Sequence, residues 1–368
     1  MMDQVTAPLV DFPLPTRGSR PRVPEAAALG SATRTSGNAL QILMSKAAYD
    51  RVADRLLPMA RGVDLITTDA LGGFNRGGDL IADEDVDPEV FWISLDLWRS
   101  GGLPALFSKI ATGTRGRWAQ SFAAGVDHPS FRAVVDKGLR LTNSDAQAPA
   151  IAEYVVAQAF SLLHPIEQQL AAQASKQWRQ IDFREISSTR WLLIGFGAIG
   201  QQIANRLQPF RPRIAAVRRQ AIRDDRLTDV CTLNDVGRLL PHTDVVVLAC
   251  ALNSDTRDLA GPAFFESLKP GSILINVGRG ELMDEAALRL GLERDQPARA
   301  VLDVFRSEPL SPEAWLWTHP KIRVTAHASN AGDKVMGRGD DLFLQNLRLY
   351  LARQPLVNEV PATNFEAQ

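Results

Sequence analysis

The sequence predicts an α/β protein with two domains, each built on a parallel sheet of the Rossmann-like or flavodoxin-like kind. Short apolar runs alternate with helix-like stretches, which is the pattern of parallel strands joined by crossover helices. A glycine pattern, GFGAIG, stands between one apolar run and a segment of good helix formers. The length of 368 residues is too great for one ordinary core and suits two domains.

The composition excludes several classes of protein. Hydrophobic residues make up 45% of the chain and charged residues 23%, as in globular domains rather than in disordered or membrane-spanning chains. The formal net charge is -1, so no overall field draws the chain to nucleic acid or to an anionic membrane, and neither partner is predicted. No apolar run reaches the roughly 18 to 20 residues that cross a bilayer, and the N-terminus lacks the order of a signal peptide.

The two cysteines, Cys231 and Cys250, favour a reducing compartment. They lack CxxC spacing and a neighbouring group of histidines, so the sequence predicts neither a disulfide framework nor a metal site. We therefore expect a cytoplasmic protein.

The N-terminal half begins with an arm and continues with a first α/β series. Residues 1–37 contain many prolines and no sustained periodicity, so we expect an extended or disordered arm, either a solvated tail or a segment packed across a subunit interface. Strands are predicted at 39–45, 63–68, 90–96, 117–123 and 139–143. Helices are predicted around 46–58, 103–112 and 129–137.

A long apolar-periodic segment leads into a second α/β series. We expect a helical stretch over about 149–175, capped by Ser144 or Asp145 and kinked at Pro165. Strands are predicted at 191–196, 213–218, 244–250, 272–277, 299–304 and 321–326. An amphipathic helix is predicted near the C-terminus, over about 331–353.

The glycine pattern predicts a dinucleotide-binding site. Gly195 permits a tight turn from strand to helix, Gly197 lets a pyrophosphate approach the backbone, and Gly200 allows the helix to pack closely on the strand. The phosphates then meet free N–H groups at the positive end of the helix dipole. We expect the cofactor to contact Gly195, Gly197, Ala198, Ile199 and Gly200.

The residues after the following strand bear on which dinucleotide is bound. Arg218 and Arg219 stand where a carboxylate normally grips the ribose hydroxyls of NAD. A guanidinium pairs with a 2'-phosphate, which a carboxylate repels. The sequence therefore predicts a preference for NADP(H) over NAD(H). The alternative is that both arginines are solvated in an arginine-rich loop.

Three groups suited to carbonyl reduction lie downstream, after predicted strands of the second series. They are Arg279 in NVGRGELMDEAAL, Glu308 in LDVFRSEPL and His327 in TAHAS. Open α/β sheets place their ligands at the carboxyl ends of the strands, so we expect these side chains to lie near the bound cofactor.

With these motifs the sequence resembles the D-isomer-specific 2-hydroxyacid dehydrogenase family, and most closely its glyoxylate and hydroxypyruvate reductase branch. The resemblance rests on the order of GFGAIG, NVGRGELMDEAAL, LDVFRSEPL and TAHAS. It is strong over about 120–330 and weak in the N-terminal half. It implies NADPH-dependent reduction of a 2-oxo acid to a D-2-hydroxy acid.

The resemblance implies a role for each of the three groups. His327 would donate the proton that the developing alkoxide needs. Glu308 would hold the imidazole in place and raise its pKa. Arg279 would pair with the substrate carboxylate and polarise the carbonyl. Relatives that oxidise formate carry a glutamine where Glu308 stands, so the acidic residue argues for oxo-acid reduction.

Further contacts and the domain plan follow from the same resemblance. Asp303 would contact the nicotinamide carboxamide, and the backbone N–H groups of Ala124 and Gly125 would bind the substrate carboxylate. The substrate domain is expected to comprise 38–148 with 334–368, and the dinucleotide-binding domain 149–333. An active site in the cleft between the domains and a homodimer formed through the cofactor domain are also implied.

Two alternatives to this function stay open. One is a non-catalytic regulatory protein that senses a nucleotide on the same fold. The other is a related dehydrogenase with an unusual substrate, such as a phosphorus oxyanion. The side chain of the substrate is open too, since the large aromatic residues either line a pocket for a bulky oxo acid or form core. They are Phe91, Trp92, Trp98, Trp118, Phe122, Trp315 and Trp317.

Overall fold

The protein folds into two α/β units, each with its own seven-stranded sheet. The computed structural model describes residues 39–59, 61–68 and 72–365. The predicted arm over 1–37 lies outside the described residues. The first unit is drawn from Met1–Phe122, Ala133–Thr142 and Phe343–Leu356, and the second from Ala123–Arg132, Asn143–Leu342 and Val357–Gln368.

These limits differ from the predicted boundaries because the second unit also includes Ala123–Arg132, 143–148, 334–342 and Val357–Gln368. Hydrogen bonds explain the first of these differences. The amide of Ser144 donates to the carbonyl of Ala123 at 2.9 Å, and Nδ2 of Asn143 donates to the carbonyl of Ala124 at 2.7 Å. The assignment of a substrate domain and a dinucleotide domain stays a prediction.

The helices and strands follow one another in an alternating order over most of the described chain. The strands are β1 Gln41–Ser45, β2 Asp64–Thr68, β3 Phe74–Arg76, β4 Asp79–Ile81, β5 Val90–Ile93, β6 Trp118–Ser121, β7 Arg140–Thr142, β8 Arg190–Ile194, β9 Arg213–Val217, β10 Asp229–Cys231, β11 Val245–Leu248, β12 Ile273–Asn276, β13 Arg299–Leu302 and β14 Ile322–Val324. The α-helices are α1 Lys46–Met59, α2 Leu95–Ser100, α3 Leu103–Thr112, α4 Pro129–Asp136, α5 Ala148–Leu163, α6 Ile166–Ala174, α7 Ala198–Leu207, α8 Pro262–Glu266, α9 Glu285–Glu293 and α10 Val335–Leu351.

The first sheet has the order β4-β3-β2-β1-β5-β6-β7. The strands β1, β2, β5, β6 and β7 are parallel, as predicted. The strands β3 and β4 add an antiparallel hairpin at the edge of the sheet, beside β2. The prediction missed this hairpin because its strands are short. The signal was the Gly77-Gly78 pair, whose φ angles of 62° and 103° suit a tight hairpin turn.

The aromatic side chains of the first unit are largely core. Phe91, Trp92 and Trp118 are at most 3% exposed, and the rings of Trp92 and Trp118 stack on Phe343 of α10. The interpretation that these three line a substrate pocket is therefore wrong. Burial of their large apolar surface stabilises the unit instead. Trp98 is 36% exposed.

The second sheet is wholly parallel, with the order β10-β9-β8-β11-β12-β13-β14. Alternate residues of its central strands enter two different cores. Leu192 and Val246 pack in one, while Leu193 and Val247 pack in the other. Burial on both faces is what a continuous apolar run in a parallel strand indicates. The strand order reverses between β8 and β11, which is where open α/β sheets bind their ligands.

Three local predictions in the second unit were wrong. The edge strand β10 was missed, since only three residues form it. The expected kinked helix is two helices, because His164 precedes a proline and takes an extended conformation, with φ -96° and ψ 124°. Neither Ser144 nor Asp145 caps α5. The N-cap is Gln147, and the turn before it is closed by a hydrogen bond from the Ala148 amide to the Asp145 carbonyl.

Two further findings concern the chain as a whole. No helix among the described residues is both long enough and apolar enough to cross a membrane. Cys231 and Cys250 are both free thiols.

Candidate active site

The glycine loop lies after β8, at the point where the strand order reverses. Gly195 has a φ of 101°, and a Cβ there would lie 2.6 Å from the carbonyl oxygen of Ala249. A Cβ on Gly200 would lie 2.4 Å from the carbonyl oxygen of Gly195. Both positions therefore require glycine, one for the turn and one for the close approach of α7 to β8.

The N-terminus of α7 is open to a ligand. Its N-cap is Gly197, and no side chain caps it. Gly197 and Ala198 are exposed and Ile199 is half-buried. A Cβ on Gly197 would meet no protein atom within 4 Å, so the protein's own packing does not require glycine at this position. The uncapped N–H groups and the helix dipole suit a pyrophosphate, and the residues present fit a dinucleotide.

Of the two arginines after β9, Arg218 lies beside the glycine loop. The guanidinium of Arg218 lies 5.5 Å from the ring centre of Phe196, and its Nη1 donates to the carbonyl of Ile222 at 3.0 Å. Arg219 is exposed. Arg226, which the sequence interpretation did not single out, lies over the same Phe196 ring at 5.2 Å. Two guanidinium groups therefore flank one aromatic ring of the glycine motif.

A carboxylate accompanies these guanidinium groups. Asp224 accepts hydrogen bonds from Nε and Nη2 of Arg226 at 2.8 and 2.7 Å. The hydrogen bond from Arg226 is the largest cause that lowers the pKa of Asp224 to about 2, and the charge of Arg218 contributes to this shift. Asp224 is therefore ionised at neutral pH and offsets part of the positive charge at this edge.

Glu308 and His327 form a hydrogen-bonded pair on two loops that follow β13 and β14. Nδ1 of His327 lies 2.8 Å from Oε2 of Glu308, and Oε1 of Glu308 accepts from the amide of Phe305 at 2.9 Å. The side chains of His327 and Glu308 are 43% and 37% exposed, so a small molecule can reach them. The carboxylate fixes the imidazole through Nδ1 and leaves Nε2 to meet a substrate.

The pKa values of the pair shift in opposite directions. The hydrogen bond to Glu308 raises the pKa of His327, although burial and the charge of Arg279 oppose the shift. Burial raises the pKa of Glu308, but the hydrogen bond and charge of His327 outweigh it, so the net shift is downward. The pair therefore favours an imidazolium beside a carboxylate, which is the form that donates a proton.

Asp303 stabilises the loop that carries His327 through hydrogen bonds. This side chain is fully buried, and its carboxylate accepts from the Thr325 hydroxyl and from the amides of Ala328 and Ser329, at 2.6, 2.8 and 3.0 Å. The carbonyl of Asp303 also accepts from the amide of His327 at 2.9 Å. These bonds stabilise a loop in which His327 has a φ of 49°.

Tyr154 of α5 extends this network. Its hydroxyl lies 2.6 Å from the Thr325 hydroxyl. Because Thr325 gives its one hydrogen to Asp303, the Tyr154 hydroxyl acts as the donor in this contact. Sequence reasoning missed Tyr154 and Thr325, since helical spacing makes Tyr154 an ordinary core residue.

Arg279 lies on the loop after β12, and Asn276 braces that loop. Nδ2 of Asn276 donates to the carbonyl of Arg279 at 2.8 Å, and its Oδ1 accepts from the amide of Gly278 at 3.1 Å. A Cβ on Gly280 would lie 2.0 Å from the carbonyl carbon of Phe305, so this loop packs tightly on the loop that leads to Glu308. The charge of Arg279 acts on the pKa of both Glu308 and His327, so the structure brings the three predicted groups together.

The guanidinium of Arg279 is paired with Asp127. Nε donates to Oδ2 at 3.1 Å and Nη2 donates to Oδ1 at 2.8 Å. Burial raises the pKa of Asp127, but the hydrogen bond and charge of Arg279 outweigh it and lower the pKa overall. A Cβ on Gly125 would lie 2.0 Å from Nη2 of Arg279, so the guanidinium packs on the bare backbone there. Ala124 is half-buried, next to this contact.

Asp127 was missed as a site residue, although it stands beside Gly125 in the sequence AAGVDH. No pattern in the sequence pairs it with Arg279, because the two residues are far apart along the chain.

Among the described residues, no group of three or more histidine, cysteine, aspartate and glutamate side chains is placed to hold a metal ion.

Comparisons with known proteins show similarity to one family of oxidoreductases. The NAD-binding domain of D-isomer-specific 2-hydroxyacid dehydrogenases matches residues 156–329. A 4-methyl-2-oxopentanoate reductase of Aspergillus oryzae is 29% identical over 241 residues, which are 65% of this chain and 73% of that protein. A glyoxylate/hydroxypyruvate reductase of Arabidopsis thaliana is 28% identical over 243 residues, which are 65% of this chain and 74% of that protein.

A solved structure extends the likeness over most of the chain. A D-isomer-specific 2-hydroxyacid dehydrogenase family protein from Aeromonas salmonicida is 25% identical and superposes with a TM-score of 0.72, covering 88% of this chain and 99% of that one. Its likeness spans both sheets, whereas the family model lies within the second unit. Residues 156–329 therefore form the NAD-binding domain of a D-isomer-specific 2-hydroxyacid dehydrogenase, and the chain as a whole is similar to the oxidoreductases of that family.

Proposed function

We propose that the protein is an NADPH-dependent reductase that converts a 2-oxo acid into a D-2-hydroxy acid. The observation that carries the proposal is the hydrogen bond between His327 and Glu308, with Arg279 close enough to shift the pKa of both. This arrangement supplies a proton donor and a cation for an anionic substrate. Both are needed when a carbonyl next to a carboxylate becomes an alcohol.

Each side chain has a defined task in this reaction. A nicotinamide cofactor, when bound, would supply the hydride for the carbonyl carbon. His327 gives the proton on Nε2 to the carbonyl oxygen, while Glu308 stabilises the imidazolium before transfer. Arg279 binds the substrate carboxylate and polarises the carbonyl, and the amides of Ala124 and Gly125 assist at the carboxylate.

The cofactor is held by the glycine loop in this proposal. The uncapped N-terminus of α7 supports binding of the pyrophosphate at Gly197 and Ala198. Arg218 lies over Phe196 of the glycine loop and Arg219 is the exposed residue next to it in sequence, and we assign both to the 2'-phosphate of NADP(H), with NAD(H) as the weaker ligand. The carboxylate of Asp303 is fully buried and bonded to the His327 loop, so we assign it to holding that loop, and its contact with the nicotinamide stays a prediction.

The substrate class is a small or branched 2-oxo acid. The names of the two curated relatives, a 4-methyl-2-oxopentanoate reductase and a glyoxylate/hydroxypyruvate reductase, support this class. Burial of Phe91, Trp92 and Trp118 removes the strongest argument for an aromatic pocket.

A homodimer formed through the cofactor domain is part of the proposal. Four large apolar side chains on α6 and on the chain after it are exposed, and their number in one short segment supports an interaction surface there. They are Ile166, Leu170, Trp178 and Phe183, at 43%, 59%, 106% and 56% exposure. A second copy of the chain is the partner that the family resemblance implies. A cytoplasmic location stays a prediction.

The test is the loss of absorbance at the nicotinamide band, with purified protein, NADPH or NADH, and a panel of glyoxylate, hydroxypyruvate, 4-methyl-2-oxopentanoate and phenylpyruvate. Oxidation of NADPH well ahead of NADH with one of these acids supports the proposal. Binding of NADPH by fluorescence without turnover of any acid would contradict it, and would favour a nucleotide-sensing regulatory protein or an unusual substrate.

A further inference from the structure

Arg279 has enough N–H donors to bind Asp127 and a substrate at the same time. Arg279 has five N–H donors in a planar fork. Nε and Nη2 each give one to Asp127, and Nη1 gives one to the carbonyl of Gly278 at 2.9 Å. One N–H on each terminal nitrogen is then left over. A carboxylate accepts from such a pair in the bidentate manner that arginine favours.

Three constraints fix the plane of the guanidinium. Asp127 binds one edge at two points, Gly278 binds the opposite nitrogen, and the bare backbone of Gly125 lies against Nη2. The side chains of Arg279 and Asp127 are still 30% and 31% exposed, so the remaining donors are within reach of a small molecule. An arginine on a flexible stem loses much of its entropy when it binds an anion, and such a brace removes that cost beforehand.

We infer that Asp127 is a positioning residue, which binds the Nε edge of Arg279 and so directs the two remaining N–H groups to the carboxylate and carbonyl of the substrate. The inference rests on the proposed function and goes beyond it, because it assigns a role to a residue outside the three reacting groups. Asp127 also offsets the charge of Arg279, whose pull on the pKa of His327 is downward. Asp127 acts through Arg279 and does not touch the reacting atoms.

The test compares Asp127→Asn with a matched control. Asp229 forms the same kind of bidentate pair with Arg238, at 2.6 and 2.9 Å, on β10. Asp127→Asn should raise KM for the 2-oxo acid and lower kcat, with kcat/KM falling about 10- to 100-fold, since a guanidinium misplaced by about 1 Å costs this much. KM for NADPH should stay as in the wild type. Asp229→Asn should leave all of these values unchanged.

A double-mutant cycle separates positioning from a general structural effect. In an Arg279→Ala background, Asp127→Asn should change the residual kcat/KM by less than about twofold, because the group that it positions is gone. The same 10- to 100-fold loss in both backgrounds would overturn the inference. If Asp127→Asn does not fold, Asp127→Ala is put through the same cycle and the same outcomes decide.

A readout without turnover distinguishes failure of this inference from failure of the proposed function. Phenylglyoxal modifies arginine, and mass spectrometry of the peptide that contains Arg279 reports its rate. Modification of Arg279 should be faster in Asp127→Asn than in the wild type, because the hydrogen-bonded guanidinium reacts slowly. Equal rates would overturn the inference even if the wild type reduces no acid. If the wild type reduces an acid and Asp127→Asn reduces it equally well, the inference is overturned and the proposed function stands.

Discussion

Nδ1 of His327 lies 2.8 Å from Oε2 of Glu308, and this hydrogen bond is the largest cause of the raised pKa of the histidine. The same contact lowers the pKa of Glu308 against the effect of its burial. The proton on Nδ1 therefore stays shared with a carboxylate, and the proton on Nε2 is the one available for transfer. Charge, tautomer and ring orientation are set by one contact between two loops.

Removal of the proton donor should stop reduction without weakening the cofactor. His327 has a φ of 49°, a conformation that asparagine tolerates better than alanine, so His327→Asn is the better variant. We expect kcat to fall about 10²- to 10⁴-fold, the usual contribution of general acid catalysis, with little change in NADPH binding by fluorescence. His319→Asn, a histidine whose Nδ1 accepts only from the Lys321 amide, is the control. Wild-type turnover in His327→Asn would end the proton-donor assignment.

The pH dependence of reduction should move when Glu308 loses its charge. Reduction uses protonated His327, so kcat/KM is constant below the pKa of the histidine and falls as the pH rises through it. Glu308→Gln removes the largest cause of the raised pKa, so the decline should begin at lower pH, and the loss should be greater at pH 8 than at pH 6. Oxidation of the hydroxy acid uses neutral His327, so it rises with pH through the same pKa, and in Glu308→Gln this rise should also begin at lower pH.

Glu313→Gln controls for this change. Glu313 is exposed, lies on the same loop and accepts a hydrogen bond from the Ser311 hydroxyl. Its pH profile should match that of the wild type. An unchanged decline in Glu308→Gln would mean that another group limits reduction at high pH.

Most of the second unit can be predicted from the sequence, because its strands are continuous apolar runs and its glycines stand where the backbone turns or packs closely. Gly195 and Gly200 have no room for a Cβ, which is why a glycine pattern can be read as a turn and a close packing contact. The motif residues Arg279, Glu308 and His327 also lie together, since the carboxyl ends of neighbouring parallel strands share one edge.

The features that were missed depend on contacts between distant segments. Asp127 meets Arg279 across much of the chain, and no local pattern encodes that pair. Tyr154 follows the helical period of α5 and so resembles any core residue, although its hydroxyl reaches Thr325. The hairpin of β3 and β4 has strands too short to show alternation. Hydrophobic periodicity indicates which side chains are buried. It does not indicate which buried polar groups form hydrogen bonds with one another.

The Tyr154 hydroxyl should matter for catalysis because it supports the loop of His327. Tyr154→Phe removes the donor to Thr325 and should cost about 1 kcal/mol of unfolding free energy, the usual value of one hydrogen bond. We expect kcat to fall about three- to tenfold as the loop loosens. Tyr350→Phe is a matched control, because the Tyr350 hydroxyl also donates one 2.6 Å hydrogen bond, to Glu89 of the first unit. Denaturant unfolding should show similar losses in both variants, and kcat should fall only in Tyr154→Phe.

The arginines after β9 should decide between the two nicotinamide cofactors. Arg218 lies over Phe196 of the glycine motif and Arg219 is exposed beside it, so both can meet a 2'-phosphate at the carboxyl end of the strand. Replacing both with alanine should weaken NADPH by about 10- to 100-fold, since a hydrogen bond to a charged group contributes about 1.5 to 3 kcal/mol. Binding of NADH lacks this contact and should change little.

Arg213→Ala is the matched control, because Arg213 is an exposed arginine at the opposite end of the same strand. Titration of protein fluorescence with each cofactor gives six dissociation constants for the three proteins, and equal losses for NADPH and NADH in the double variant would show that these arginines do not read the 2'-phosphate. In that case Arg226, which shares the Phe196 ring, would be the next residue to replace.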